Sequence, residues 1–340
     1  MADADERPLI LVSPHPRATW MVFTPEDRAR IEAAARLVIH DDGPMPAALV
    51  EEHLSEVEIV IGQIPFSAER LARAPRLRAL LNVKGNWESD IDYAECERRG
   101  IPVLSAAPAM APAVAEASLG FALDLARGIT FADRAFRSGE ERYGIAGNPD
   151  AFLLRDQPIG LIGYGNLGRA LVPLLRPFGG RIRVHDPWLP DGLLVDQSLE
   201  PAALDEVLAE SRVLFILAGV FEGNEGFLDR ARLETIRDDA AVVLASRAEV
   251  VEFDAFVELA EAGRFRAAID VFPEEPVPVD HPIRRTERIL LSSHRAGGLH
   301  DSYARISSMV VDDALLILRG LPPARLQRAA PQTAALARSR

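Results

Sequence analysis

The stretch that most constrains this chain is Ile159-Gly-Leu-Ile-Gly163-Tyr164-Gly165-Asn166-Leu167-Gly168, a G-x-G-x-x-G run that follows an apolar segment and opens an amphipathic one. Such a run calls for a strand, a tight turn and a helix in immediate succession. Gly163 permits the turn, Gly165 lets the backbone approach a pyrophosphate, and Gly168 lets the helix pack closely on the strand. The N–H groups at the start of that helix then face the phosphates and favour negative charge. The next apolar run, Arg181 to His185, ends at Asp186, near the ~20-residue offset at which an acid hydrogen-bonds a ribose diol. A lone G-x-G-x-x-G is weak. With strand, helix, second strand and acid in order, it predicts a dinucleotide site made of Gly163, Tyr164, Gly165, Asn166, Leu167, Gly168 and Asp186. Asp186 repels a 2′-phosphate, which points to NAD rather than NADP. Arg181 and Arg183 read as solvated charges alternating on the strand.

Around this motif the chain alternates short apolar runs with helical patterns. Pro8–Ser13, Glu58–Gly62, Leu77–Val83 and Ile101–Ser105 read as buried strands, with helices over Pro25–Arg36 and Ser67–Ala74. A long helix is expected from about Pro112 to Ser138. A second series of strands follows at Ile159–Gly163, Arg181–His185, Val213–Leu217, Ala241–Ala245, Ala267–Val271 and Ile289–Ser292. A last helix spans Asp301–Arg319, and the Pro/Ala-rich tail after Leu321 is expected to fray. Near-continuous apolar strands separated by helices imply parallel sheets covered on both faces. The 340 residues suit two domains at about 150 residues each.

The net charge of −13 argues against nucleic acid and anionic membrane as partners, since both reward a basic surface. Cys96 is the single cysteine, so neither an intrachain disulfide nor a cysteine metal cluster is available. The acidic segment Met1–Arg7 lacks the pattern of a signal peptide, and the longest apolar run, near Val213–Phe221, falls short of the ~20 residues that span a bilayer. The expectation is a soluble, cytoplasmic protein with no bound metal.

Three further elements stand at the ends of later strands: Arg247, the run Asp270-Val-Phe-Pro-Glu-Glu275-Pro276, and His294 in Ser292-Ser-His-Arg-Ala-Gly-Gly298. Ligands of open α/β sheets bind at strand carboxyl ends. A guanidinium can take a carboxylate in a fork. An imidazole can exchange a proton with a carbonyl or hydroxyl oxygen, and a carboxylate on its other ring nitrogen holds the ring. Taken singly, each residue has a bland reading: Arg247 as a surface ion pair, Glu275 as a solvated loop acid, His294 as a strand cap. His15, His40, His53, His185, His281 and His300 keep that structural reading.

With these motifs in order, the sequence resembles the D-isomer-specific 2-hydroxyacid dehydrogenases over nearly its whole length. The resemblance rests on the Gly-rich turn, Ala113-Val-Ala-Glu116, Arg247, the D-V-F-x-x-E-P run and the H-x-x-G-G run. It implies that Arg247 binds substrate, Glu275 pairs with His294, His294 is the acid/base, and Asp270 hydrogen-bonds the nicotinamide carboxamide. It also implies two doubly wound α/β domains, with a Rossmann NAD-binding domain (113–302) inserted in a discontinuous, flavodoxin-like substrate domain (1–112 and 303–340), and a homodimer. The substrate is a small 2-hydroxy or 2-keto acid. Where the family carries a G-x-G substrate loop, this chain reads Val83-Lys84-Gly85-Asn86-Trp87, so Lys84, Gly85, Asn86 and Trp87 become the substrate candidates. For Trp87 core packing is an equal alternative. Leu244, Ala248, the loop Ala218–Asn224 and Arg295 also depart from the family pattern, and an ion pair is expected at Arg295. The competing function is a non-catalytic NAD(H)-sensing interaction protein on the same scaffold.

Overall fold

Five apolar runs near the N-terminus form parallel strands: β1 (Leu9–Ser13), β2 (Arg36–Ile39), β3 (Val57–Gly62), β4 (Ala79–Asn82) and β5 (Val103–Ser105). The computed structural model describes residues 6–330 together with Ala334 and Leu336. By contacts the chain divides into two units, Met1–Met110 with Gly298–Arg340, and Ala111–Gly297. In the first unit the strand order is β5-β4-β3-β1-β2, the flavodoxin-like winding, and Gln327–Arg328 adds an antiparallel edge beside β5. Alternate strand residues bury opposite faces. Ile10, Ile59 and Leu81 pack under the helices Pro25–Ala34 and His300–Leu318, while Leu11, Val60 and Leu80 pack under Ala47–His53, Ala68–Arg73 and Tyr93–Arg98.

The second unit holds β6 (Ile159–Ile162), β7 (Ile182–His185), β8 (Glu200–Pro201), β9 (Val213–Ile216), β10 (Ala241–Leu244), β11 (Arg266–Ile269) and β12 (Ile289–Leu291). Their order is β12-β11-β10-β9-β6-β7-β8, all parallel. From β6 the chain winds outward through β7 and β8, then returns and winds the other way through β9 to β12. The order therefore reverses between β6 and β9, the switch point at which such sheets bind ligands.

Several expectations change. β2 is not among the expected strands, and its first residue, Arg36, falls in the span expected to be helical, because Pro25–Ala34 stops at Ala35 and the chain turns extended there. The helix expected over 112–138 is two, Ala107–Arg127 and Ile129–Ser138, split at Gly128 with φ +64°. It starts before Pro112 because the Ser105 hydroxyl accepts the Ala107 N–H at 3.1 Å. By length and composition Ala107–Arg127 is apolar enough to cross a membrane, which the reading of apolar runs overlooked. Core helices pass the same test, and Ala115, Ala122 and Leu125 of this helix lie in the core of the second unit.

The tail beyond Leu321 does not fray at its start. Asp313, fully buried, accepts the N–H groups of Ala324 (2.8 Å), Arg325 (3.1 Å) and Leu326 (2.8 Å), and this turn delivers Gln327 and Arg328 to β5. Residues 331–333, 335 and 337–340 of that tail lie outside the described residues, as do residues 1–5. Asp313→Ala takes the acceptor from three main-chain N–H groups, that of buried Leu326 among them, and should remove roughly 2 kcal/mol of stability. Chemical denaturation would read this as a lower midpoint, and an unchanged midpoint would show that the turn does not depend on Asp313.

Candidate active site

The turn after β6 begins at Gly163, whose φ of +94° lies in the left-handed region. A Cβ there would come within 2.8 Å of the Ala218 nitrogen just beyond β9, so only glycine fits. At Gly168 a Cβ would meet the Gly163 carbonyl oxygen at 2.9 Å and the Tyr164 ring at 3.1 Å, because the helix Asn166–Leu175 leans directly on the turn. Gly165 differs: nothing lies within 4 Å of where its Cβ would stand, and no side chain caps the helix it introduces. The result is an open backbone cradle against a helix N-terminus, which fits a pyrophosphate.

Asp186 follows β7 and ties into the same turn. Its carboxylate accepts the Tyr164 N–H at 2.8 Å and the Trp188 N–H at 3.0 Å. The Tyr164 ring is buried, with the Arg169 guanidinium 4.9 Å from its centroid, so this residue serves by packing and by its main chain. Arg183 is not the solvated charge expected. It is 7% exposed and paired with Glu200, Glu206 and Glu210 at 3.6, 3.2 and 2.8 Å, while Arg181 reaches Glu200 at 3.9 Å. The helix Leu204–Glu210 supplies two of those acids beside β7, which is why the face is covered.

The second cluster forms where β10, β11 and β12 end. Arg247 is partly buried, and its Nη1 donates to the Ser246 carbonyl at 2.7 Å. Burial pulls its pKa below the ordinary arginine value, opposed by the charges of Glu249 and Glu275. Glu275 accepts the Phe272 N–H through Oε1 at 2.9 Å and contacts Nδ1 of His294 through Oε2 at 2.5 Å. With Nδ1 committed, Nε2 is the ring atom left to face a ligand. His294 adopts φ +49°, rare for a residue with a side chain. Its N–H donates to the Asp270 carbonyl at 2.7 Å.

Asp270 explains how that conformation is held. Its side chain is 1% exposed and accepts the Ser292 hydroxyl (2.5 Å), the Arg295 N–H (3.1 Å) and the Ala296 N–H (3.2 Å). The carboxylate thus holds the loop that carries His294. Sequence reasoning missed Ser292 in this role, and the only signal was its position two residues before His294. No ion pair forms at the Arg295 side chain among the described residues; its main chain is the part that is used.

Lys84, Gly85, Asn86 and Trp87 belong to the other unit, on the loop leaving β4. Asn82 organises that loop: its Oδ1 accepts the Lys84 N–H at 2.6 Å and its Nδ2 donates to the Asn86 carbonyl at 2.9 Å. Lys84 pairs with Glu88 at 3.4 Å. Trp87 packs edge-on against Tyr93, with centroids 6.5 Å apart, at the rim of the core, so its indole follows the packing alternative. His53, His185 and His281 make local bonds, to Glu56, the Ala202 carbonyl and the Ile283 N–H respectively.

Residues 119–296 match the family model of the D-isomer specific 2-hydroxyacid dehydrogenase NAD binding domain. A phosphoglycerate oxidoreductase from Rhizobium etli, known from its crystal structure, is 42% identical, with a TM-score of 0.84 over 95% of this chain and 99% of that one. A glyoxylate reductase of Korarchaeum cryptofilum is 26% identical over 290 residues, 83% of this chain and 86% of its own. A D-3-phosphoglycerate dehydrogenase of Archaeoglobus fulgidus is 25% identical over 269 residues, 78% of this chain and 50% of its own.

Proposed function

The chain belongs to the D-isomer-specific 2-hydroxyacid dehydrogenase family, and from that premise we propose that it interconverts a D-2-hydroxy acid and its 2-keto acid with NAD(H). A nicotinamide dinucleotide and a 2-hydroxyacid oxidoreductase activity follow from the family; the residue roles, the preference for NAD and the small-acid substrate are our reading. The observation that carries it is the His294–Glu275 contact, on a loop clamped by Asp270, beside Arg247.

Gly163, Gly165 and Gly168 would hold the pyrophosphate and Asp186 the ribose hydroxyls. A nicotinamide held there would supply the hydride chemistry. Arg247 holds the substrate carboxylate, and its partial burial strengthens that attraction. Glu275 fixes the ring by Nδ1. In reduction, the His294 imidazolium delivers a proton from Nε2 to the carbonyl oxygen; in oxidation, the neutral ring accepts the hydroxyl proton. Asp270 keeps Nε2 in place by holding the loop. In the other unit, we read the main-chain N–H of Gly85, on the loop leaving β4, as a donor for an anion.

NADH oxidation followed against a panel of 2-keto acids tests the reaction. His294→Ala should lower kcat by about 10²–10⁴-fold while NADH affinity, read by fluorescence, stays unchanged. Normal turnover in that variant would remove His294 as the acid/base. NADH binding without turnover on any keto acid in the wild type would favour the sensor reading.

For the cofactor, Asp186 disfavours a 2′-phosphate, and Arg181 and Arg183 are engaged by glutamates. We expect kcat/KM for NADH to exceed that for NADPH by about 100-fold, and Asp186→Ala to cut this ratio about tenfold or more, as one lost charge repulsion would. A wild type indifferent to the 2′-phosphate would overturn the assignment.

We also propose a homodimer. The helix Ile129–Ser138 buries no residue of its own, and apolar Phe136 and Ile145 are 64% and 87% exposed near it in sequence. Sedimentation should give twice the 37.1 kDa chain mass, and Phe136→Asp should shift it toward the monomer. A monomeric wild type at micromolar concentration would sink this assembly.

A further inference from the structure

In the first unit the strand order reverses between β1 and β3, and the loop Pro14–Arg17 leaves β1 at that switch point. Open α/β sheets bind ligands there. Gly62, the last residue of β3, has φ +114°, and a Cβ on it would fall 2.0 Å from the Ser13 carbonyl oxygen, so the two strand ends are pressed together. Next to it, the Gln63 carboxamide lies within hydrogen-bond distance of the carbonyls of Pro14 (3.3 Å) and His15 (3.0 Å), the N–H of Val83 (3.3 Å) and the Asn82 side chain (3.1 Å). Gln63 thereby fastens the loop of Arg17 to the loop of Lys84.

Arg17 stands out on this edge. Among the described residues no carboxylate pairs with it, in a chain with 51 acidic side chains. Its Nε is buried without a hydrogen-bond partner. Its guanidinium lies over the Tyr303 ring, 5.4 Å from the centroid, and Tyr303 is its one polar companion. Asp41 is occupied by the N–H and hydroxyl of Thr19. Trp20, 55% exposed, stands edge-on to Tyr303 at 5.6 Å and 5.9 Å from the His300 ring, which completes an aromatic wall. Burial lowers the pKa of Arg17, as it does for a cation held out of water without a counter-ion. Structural arginines elsewhere in this unit differ: Arg78 caps the carbonyls of Ile317 and Leu318 and pairs with Glu58, and Arg36 pairs with Glu56.

We propose that Arg17, seated on Tyr303 at the β1/β3 switch point, is the receptor for an oxyanion, a carboxylate or a phosphate monoester, on a small polyanionic organic acid. A planar guanidinium fits either group in a fork, and the aromatic wall excludes water from one side of the contact. This site stands in the first unit alone and does not depend on the redox reading.

Calorimetric titration of the cofactor-free protein tests it, with D-lactate, D-malate and D-glycerate 3-phosphate as probes. The dianions should bind about 10- to 100-fold more tightly than D-lactate, the range expected for a charge-assisted pair. Arg17→Gln should erase that difference and Arg17→Lys should keep part of it, with NADH affinity of both variants within about twofold of wild type. Discrimination confined to the phosphate ester assigns phosphate; discrimination that includes D-malate assigns oxyanions generally. Equal binding of all three acids by the wild type, or a difference that survives Arg17→Gln, would overturn the proposal and leave Arg17 as a packing residue on Tyr303. Because no turnover is measured, failure of the dehydrogenase reading would leave this result intact.

Discussion

The buried carboxylate of Asp270 is the interaction on which the geometry of the His294 loop depends. A charge with 1% exposure is costly unless it is hydrogen-bonded, and here a hydroxyl and two main-chain N–H groups, all from one short loop, donate to it. Those bonds fix the residues on either side of His294, and the Asp270 carbonyl fixes the N–H of His294 itself. The left-handed backbone at His294 costs on the order of 1–3 kcal/mol and persists only where its neighbours over-determine it. Asp270 supplies that constraint. The ring is thereby presented to Glu275 by main-chain geometry as well as by side-chain attraction.

Electrostatics complete the arrangement at short range, against the sign of the whole molecule. The chain carries −13, yet a partly buried guanidinium and a carboxylate–imidazole pair gather where three strands end. Screening confines the surface charge to about 10 Å at ordinary salt, so the local cations decide what binds. The same logic separates the two kinds of arginine in this protein. Arg183 is neutralised by three glutamates and is structural. Arg247, at the carboxyl edge of its sheet, has the charges of Glu249 and Glu275 beside it, whereas Arg17 has no carboxylate partner among the described residues.

Residues with a period or a spacing were legible in the sequence. The glycine fingerprint and the longer strands of both sheets lie where local pattern put them, and Arg247, Glu275 and His294 follow strand ends. Short edge strands were not legible: β8 has two residues, and β2 merges with a preceding helix in any apolar count. The break at Gly128 was hidden because the apolar period continues on both sides of it. The true use of Asp270 was out of reach, since its partners lie 22 to 26 residues away and two of them are main-chain groups with no side-chain signature.

Both sheets meet the same steric demand at their switch points, yet only one advertises it. At Gly163 the neighbouring backbone is that of Ala218, and at Gly62 it is that of Ser13; a Cβ at either site would collide with main-chain atoms. In the second unit the turn runs straight into a helix that must also clear a pyrophosphate, so further glycines are required and the cluster is visible as a motif. In the first unit the chain passes from Gly62 to Gln63, whose carboxamide bridges two loops, and close approach is needed only once. A single glycine followed by a glutamine has no signature. The edge most open to reading by geometry is therefore the one that the sequence leaves silent, and Arg17 could be found there only after the strands had been put in order.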